Sequence, residues 1–161
     1  MEISIKSAVL LAAILLTGLS AGLFYAWQVS VIPGTRRVAD VTYLETMQSI
    51  NRAILNPAFF LIFLGSLVML TVSTVQQYSN EPVFGWVLAA AVVYAIGTFG
   101  ITAFGNVPLN DMLDALDLAQ LSAEKISETR SQYEGLWNRY HLIRTICSVL
   151  SFLLALLAVF K

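Results

Sequence analysis

The only histidine of the chain, His141, and an arginine, Arg144, stand three residues apart in a segment that is otherwise largely apolar. At 100° per residue, Trp137, His141, Arg144, Ser148 and Ser151 fall within about 80° of one another on a helix. Leu142, Ile143, Ile146, Val149, Leu150, Leu153 and Leu157 occupy the opposite side. Histidine is the side chain suited to take or give a proton near neutral pH, and arginine is a permanent cation. Side by side on an inward stripe, they could move a proton and hold the anion left behind. An arginine in mid-membrane costs roughly 2.5–3.5 kcal/mol on insertion scales, so it needs a partner and by default marks a site. The competing reading has Arg144 snorkelling to headgroups and His141 at the interface.

That the pair belongs to a membrane protein follows from four apolar stretches, 8–32, 55–75, 83–104 and 140–160, which fill over half of the 161 residues. Each reaches the ~20 residues that cross a ~30 Å hydrocarbon core, where a helix satisfies its own backbone. The chain is 58% hydrophobic and 12% charged, against about 25% charged in soluble domains, and its mean hydropathy is +0.76. The expected fold is all-α: an integral membrane four-helix bundle, a single four-span domain over 1–161, with two amphipathic extramembrane segments on one face. Lys6 ahead of an apolar run imitates a signal peptide, but the run continues through Val31. It is too long for such a segment and reads as an uncleaved first span.

The connections are unequal. The hairpin 76–82 has no Lys or Arg, and its side of the membrane otherwise carries only Lys6 and Lys161. The other two loops and their helix ends hold Arg36, Arg37, Arg52, Lys125, Arg130, Arg139 and Arg144. This excess predicts a multi-pass protein of the cell membrane with the long loops 33–56 and 105–139 in the cytoplasm. Trp27, Trp86 and Trp137 lie near span ends, as interfacial aromatics do. In the first long loop, Tyr43, Met47, Ile50 and Ile54 recur at helical spacing, with Glu45, Gln48 and Arg52 on the other flank. An amphipathic helix over the bundle mouth is expected there, and Asn56 with Pro57 reads as the cap and first position of the second span. In the other, Pro108 and Asn110 predict a turn into a helix with Leu113, Leu116 and Leu121 on its apolar side. Ser131 with Glu134 has the capping-box pattern, which starts the last helix about two turns before the membrane.

Carboxylates able to meet the arginines are few: Asp40, close in sequence to Arg36 and Arg37, then Asp111, Asp114 and Glu134. Five amides, Asn51, Asn56, Asn106, Asn110 and Asn138, gather at the same mouth. Singly each fits a cap or turn, and together they suggest a polar vestibule. Gly18 and Gly22, extended by Ala26, form a small-residue ridge for packing inside the bundle, with a homodimer as the other use; Gly97 and Gly100 read the same way. A net charge of -1 leaves no basic field for nucleic acid. One His and one Cys cannot build a thiolate or multi-histidine metal site, and no metal or cofactor is expected. A metal at His141 would need Asp40 or Asp111 to converge on it. Cys147 can form no internal disulfide. There is no phosphate-cradling loop, serine elbow or CxxC pair, and no internal repeat to support transport.

Four strings carry a resemblance: PGTRRVAD at 33–40, MQSINRAILNPAFF at 47–60, GNVPLND at 105–111 and WNRYHLIRT at 137–145. Together they resemble the anthrone oxygenase-like family, also catalogued as a domain of unknown function. Fungal relatives oxidise anthrones to anthraquinones with molecular oxygen and no recognised cofactor. The resemblance implies a substrate deprotonated to an electron-rich anion that reduces oxygen directly. In that scheme His141 takes the proton, Arg144 stabilises the oxyanion, Arg36 or Arg37 closes the mouth, and Asp40 orients the histidine or neutralises an arginine. Trp137 and Tyr43 would wall a flat apolar aromatic, and the amides would line its path. The expected partners are this small molecule and membrane lipid. The competing class is a non-catalytic bundle that holds a lipid or small ligand, or assembles through Gly18 and Gly22. A cavity lined by His141, Arg144 and Trp137 would separate the two.

Overall fold

The computed structural model describes residues 4–161, which form helices and, among the described residues, no strand. In chain order these are α1 (Ile5–Thr35), α2 (Asp40–Ala53), α3 (Pro57–Gln76), α4 (Glu81–Asp114) and α5 (Ala123–Phe160), with a single 3₁₀ turn, Leu118–Gln120, before α5. Four of them, all but α2, are long and apolar enough to cross a membrane. With 31, 34 and 38 residues, α1, α4 and α5 run about 46, 51 and 57 Å at 1.5 Å per residue, well past a ~30 Å core. The surplus of all three lies on the side where α2 lies.

Three boundaries differ from the sequence expectation, each for a local reason. The last helix opens at Ser122, whose hydroxyl accepts from the Lys125 N–H at 3.3 Å. It runs unbroken through Ser131 because the polar turns before the membrane pack on α2. No turn occurs at Pro108: α4 widens into π-helical register over Thr102–Asn106 just before it, a stretch that absorbs a residue with no N–H to offer. The first span likewise passes Pro33 through a π-helical stretch, Trp27–Val31. Asn56 and Pro57 behave as expected, the Asn56 side chain accepting from the Phe59 N–H at 3.0 Å.

Packing divides into two tiers. In the membrane tier the core sets four alanines, Ala13, Ala90, Ala91 and Ala155, among Ile14, Leu70 and Tyr94. Close approach of backbones supplies the packing that hydrophobicity cannot supply between lipid and protein. A methyl group added at Gly18 would lie 3.0 Å from the Phe152 ring, and one at Gly97 would overlap Cys147, whereas Gly22 faces open space. Gly18 is thus used inside the bundle. Buried hydroxyls tie helices together: Tyr94 donates to the Phe63 carbonyl at 3.0 Å, and Ser151 to the Ala90 carbonyl at 2.8 Å.

The second tier is a cap built from Tyr43, Leu44 and Met47 of α2, Leu113 of α4, and Ile126, Tyr133 and Trp137 of α5. Gln48, expected on the solvent flank, donates instead to the Leu113 and Leu116 carbonyls at 2.8 and 3.0 Å, satisfying carbonyls that the end of α4 leaves free. Arg130 is the main clamp. Its guanidinium donates to Asp40 at 2.9 Å, to Glu134 at 2.9 Å, and to the carbonyls of Val38, Thr35 and Arg36, and it covers the Tyr43 ring at 4.6 Å. One side chain thereby fastens the α1–α2 connection to α5.

Candidate functional site

The seam between the tiers holds the stripe of α5. Trp137, His141, Arg144, Ser148 and Ser151 are all buried, and Leu142, Ile143, Ile146, Leu150, Leu153 and Leu157 are exposed on the reverse. His141 is fully buried, with its ring stacked on Trp137 at 5.0 Å and an interplanar angle of 6°. Its Nδ1 lies 3.2 Å from Arg144 Nε and 3.0 Å from Arg144 Nη2, both donors. Nδ1 must therefore be the acceptor, which places the ring hydrogen on Nε2, 3.1 Å from the Phe24 carbonyl. This is the neutral tautomer, set by its neighbours. Phe24 lies in α1 one turn before its π-helical stretch. The Thr145 hydroxyl donates to the His141 carbonyl at 2.7 Å and sits 3.3 Å from Nε2.

Arg144 reaches across to α4, where Nη1 donates to the Thr102 hydroxyl at 3.3 Å. Its guanidinium lies over the rings of Phe24 and Trp137 at 4.7 and 5.2 Å. Among the described residues no carboxylate pairs with it; every ion pair involves Arg36, Arg52, Lys125 or Arg130. Aromatic faces and neutral acceptors soften a buried cation but leave its charge in place.

Beside this cation lies a cavity of about 80 Å³. Phe24 and Trp27 of α1, Ile50 and Asn51 of α2, Thr102 and Asn110 of α4, and Trp137, His141 and Arg144 of α5 line it. Ile54, Leu55, Phe59 and Val107 form the rest of the wall, and Leu55 and Val107 are exposed, so the outer side is apolar. The arrangement can bind an anion whose body is apolar and whose charged atom meets Arg144.

The other expected site residues divide. Asn51 and Asn110 join the cavity, linked through Tyr133: the Tyr133 hydroxyl donates to Asn110 Oδ1 at 3.2 Å and accepts from Asn51 Nδ2 at 3.1 Å. Trp137 Nε1 also donates to Asn110 Oδ1, at 2.8 Å. Asn56 caps α3, its Nδ2 donating to the Ala53 carbonyl. Asn106 is buried behind Trp137, donating to its carbonyl at 3.2 Å. Neither they nor Asn138 line the cavity. Tyr43 lies in the cap against Tyr133 and Arg130, where burial, with Glu134 nearby, raises its phenol above the ordinary value. Arg36 meets Glu134 at 3.8 Å and Arg37 is exposed. Asp40 is committed to Arg130 and cannot orient His141, whose ring nitrogens both have other partners.

Asp40 is therefore not free for a metal at His141, and among the described residues no group of three or more His, Cys, Asp or Glu is placed to hold one. Sequence reasoning missed Phe24, Trp27, Ile50, Thr102 and Tyr133. Thr102 and Tyr133 carry no signal by themselves, and the Phe24 hydrogen bond to His141 is made by backbone.

Residues 51–154 match the family described as anthrone oxygenase. The matched stretch contains Asn51, Thr102, Asn110, Trp137, His141 and Arg144, and it leaves Phe24 and Trp27 outside. No curated protein and no solved structure matches the chain. With well over half of its length matched and four helices long and apolar enough to cross a membrane, the chain belongs to the anthrone oxygenase family.

Proposed function

We propose that the protein oxidises an apolar aromatic of the anthrone, phenol or quinol type with molecular oxygen, by way of the substrate's anion. The observation that carries this reading is Arg144: a buried arginine with no carboxylate partner among the described residues, facing a cavity with mostly apolar walls. A charge left uncompensated there stabilises an anion that forms during the reaction, the arrangement expected of an oxyanion site. For an anthrone, His141 removes a proton from the methylene carbon and the negative charge delocalises onto the carbonyl oxygen. To take that proton His141 must release Arg144 from Nδ1, and the freed N–H groups then turn to the oxyanion. Proton removal and charge stabilisation become one exchange. The carbanion gives an electron to oxygen, and the radical pair combines to a peroxide. The peroxide takes the proton back from His141 and loses water, leaving a carbonyl where the methylene was. One oxygen molecule is consumed and one water formed per substrate.

At about 80 Å³ the closed cavity is below the ~300–1,000 Å³ of sites that enclose a drug-sized ligand. A fused-ring substrate enters by its reacting edge and leaves its far rings in the mouth beside Leu55 and Val107. This small volume is also the observation that favours the competing reading, a ligand-holding bundle without turnover. The excess of Lys and Arg on the capped side supports a mouth that faces the cytoplasm, and the excess persists when Arg130 and Arg144 are set aside for their other roles. Oxygen consumption by purified protein with an anthrone tests the reading. Uptake above the spontaneous rate is expected, falling roughly 10²–10⁴-fold in His141→Ala. A folded His141→Ala protein at full rate removes the assigned base, and no uptake by the wild type removes the oxidation.

A further inference from the structure

The two amides of the cavity have their polarity imposed from behind. The Trp137 indole N–H can only donate, and it lies 2.8 Å from one end of the Asn110 amide, which must therefore be Oδ1. The Tyr133 hydroxyl, 3.2 Å from the same oxygen, is then also a donor to it. Having spent its hydrogen, that hydroxyl can only accept from Asn51, so the Asn51 atom at 3.1 Å is Nδ2. Amide orientation is often a matter of choice, but a donor-only indole at one end of this chain removes the choice at both asparagines. What remains is Nδ2 of Asn110, a donor, and Oδ1 of Asn51, an acceptor. Among the described residues neither has a hydrogen-bond partner, neither is fully buried, and both residues line the cavity. Both amides hydrogen-bond to the one phenolic oxygen of Tyr133, and both residues belong to the wall of one cavity.

We propose that Asn51 and Asn110 form a specificity-determining pair that reads a neutral hydroxyl on the ligand, separate from the oxygen that meets Arg144. A hydroxyl is the group that accepts and donates at one atom, so it can take the Asn110 N–H and give its own hydrogen to the Asn51 carbonyl. An ether or ketone can do only the first. The substrate class is thereby narrowed to aromatics bearing two oxygens, one that becomes the anion and one that remains a hydroxyl. Tyr133 and Trp137 act as positioning residues for this pair. The inference rests on the reading of the cavity as an aromatic-ligand site.

The test is equilibrium binding without oxygen, followed by quenching of tryptophan fluorescence, with 1,3-dihydroxynaphthalene and its monomethyl ether as probes. Wild-type protein should bind the diol roughly five- to tenfold more tightly than the ether, the usual worth of a neutral hydrogen bond. In Asn51→Leu the acceptor is gone while Tyr133 keeps Asn110 as its partner, so the protein should melt as before and the preference should vanish. Tyr133→Phe, which frees the Asn51 amide to turn, should shrink the preference without removing an atom from the pair. Equal binding of diol and ether by the wild type, or an intact preference in Asn51→Leu, overturns the assignment. Oxygen uptake with no hydroxyl preference removes only the amide pair, and a hydroxyl preference without uptake removes only the oxidation.

Discussion

Arg130 and Arg144 lie on one helix, about 21 Å apart by its rise per residue, and their surroundings are opposite. Arg130 meets two carboxylates and three backbone carbonyls and fastens a loop to the cap. Arg144 meets a neutral imidazole, a hydroxyl and two aromatic faces, with no carboxylate among the described residues. An arginine fully answered by its own protein has no charge left for a ligand, so it serves the fold. One answered by lone pairs and π-faces alone keeps its charge for something that arrives. The same residue type thus marks architecture in the cap and chemistry at the seam.

Substituting each arginine in turn should separate the two roles. Arg144→Gln should lower oxygen uptake with an anthrone by roughly 10²–10³-fold, the usual loss when a donor to a developing oxyanion is removed. Its thermal melt should be unchanged or raised, because a buried cation without a counter-charge is lost. Arg130→Gln should do the reverse. With Asp40, Glu134 and the 35–38 carbonyls left without their donor, stability should fall by about 2–3 kcal/mol, while the rate at low temperature stays within about threefold. If Arg130→Gln abolished turnover in protein that still melts normally, the distinction would break. The smallest effect sharpens it: Thr102→Val removes the α4 hydroxyl that accepts from the Arg144 guanidinium, and should lower the rate about fivefold with little change in melting.

The inward stripe of α5 was legible in the sequence because helical periodicity is local: residues three and four apart share a face whatever surrounds them. The Asn56–Pro57 start of α3 was legible for the same reason. What the sequence hid was pairing between distant segments. Arg130 looked like one more basic residue of a loop, since all its partners but Glu134 stand 90 or more positions away. Asp40 looked like a partner for Arg36, Arg37 or His141 because nothing local shows that Arg130 outcompetes them. Trp137 fitted an interfacial belt, yet it is 3% exposed and donates inward to Asn110. The Phe24 carbonyl that holds His141 is backbone, which has no residue-type signature. The π-helical stretches of α1 and α4, Trp27–Val31 and Thr102–Asn106, lie at the seam beside these groups, and no residue-type pattern announces such a register.

The central claim, that Arg144 keeps its charge for an aromatic anion, is tested most directly by titrating a chromophoric phenol bound in the cavity. Bound 4-nitrophenol, followed by its visible absorbance, should ionise about 1–3 pH units below the free compound, because the adjacent cation favours the phenolate. The shift should disappear in Arg144→Gln and persist in Arg130→Gln. A bound phenol that ionises at or above its free value in the wild type would contradict the account.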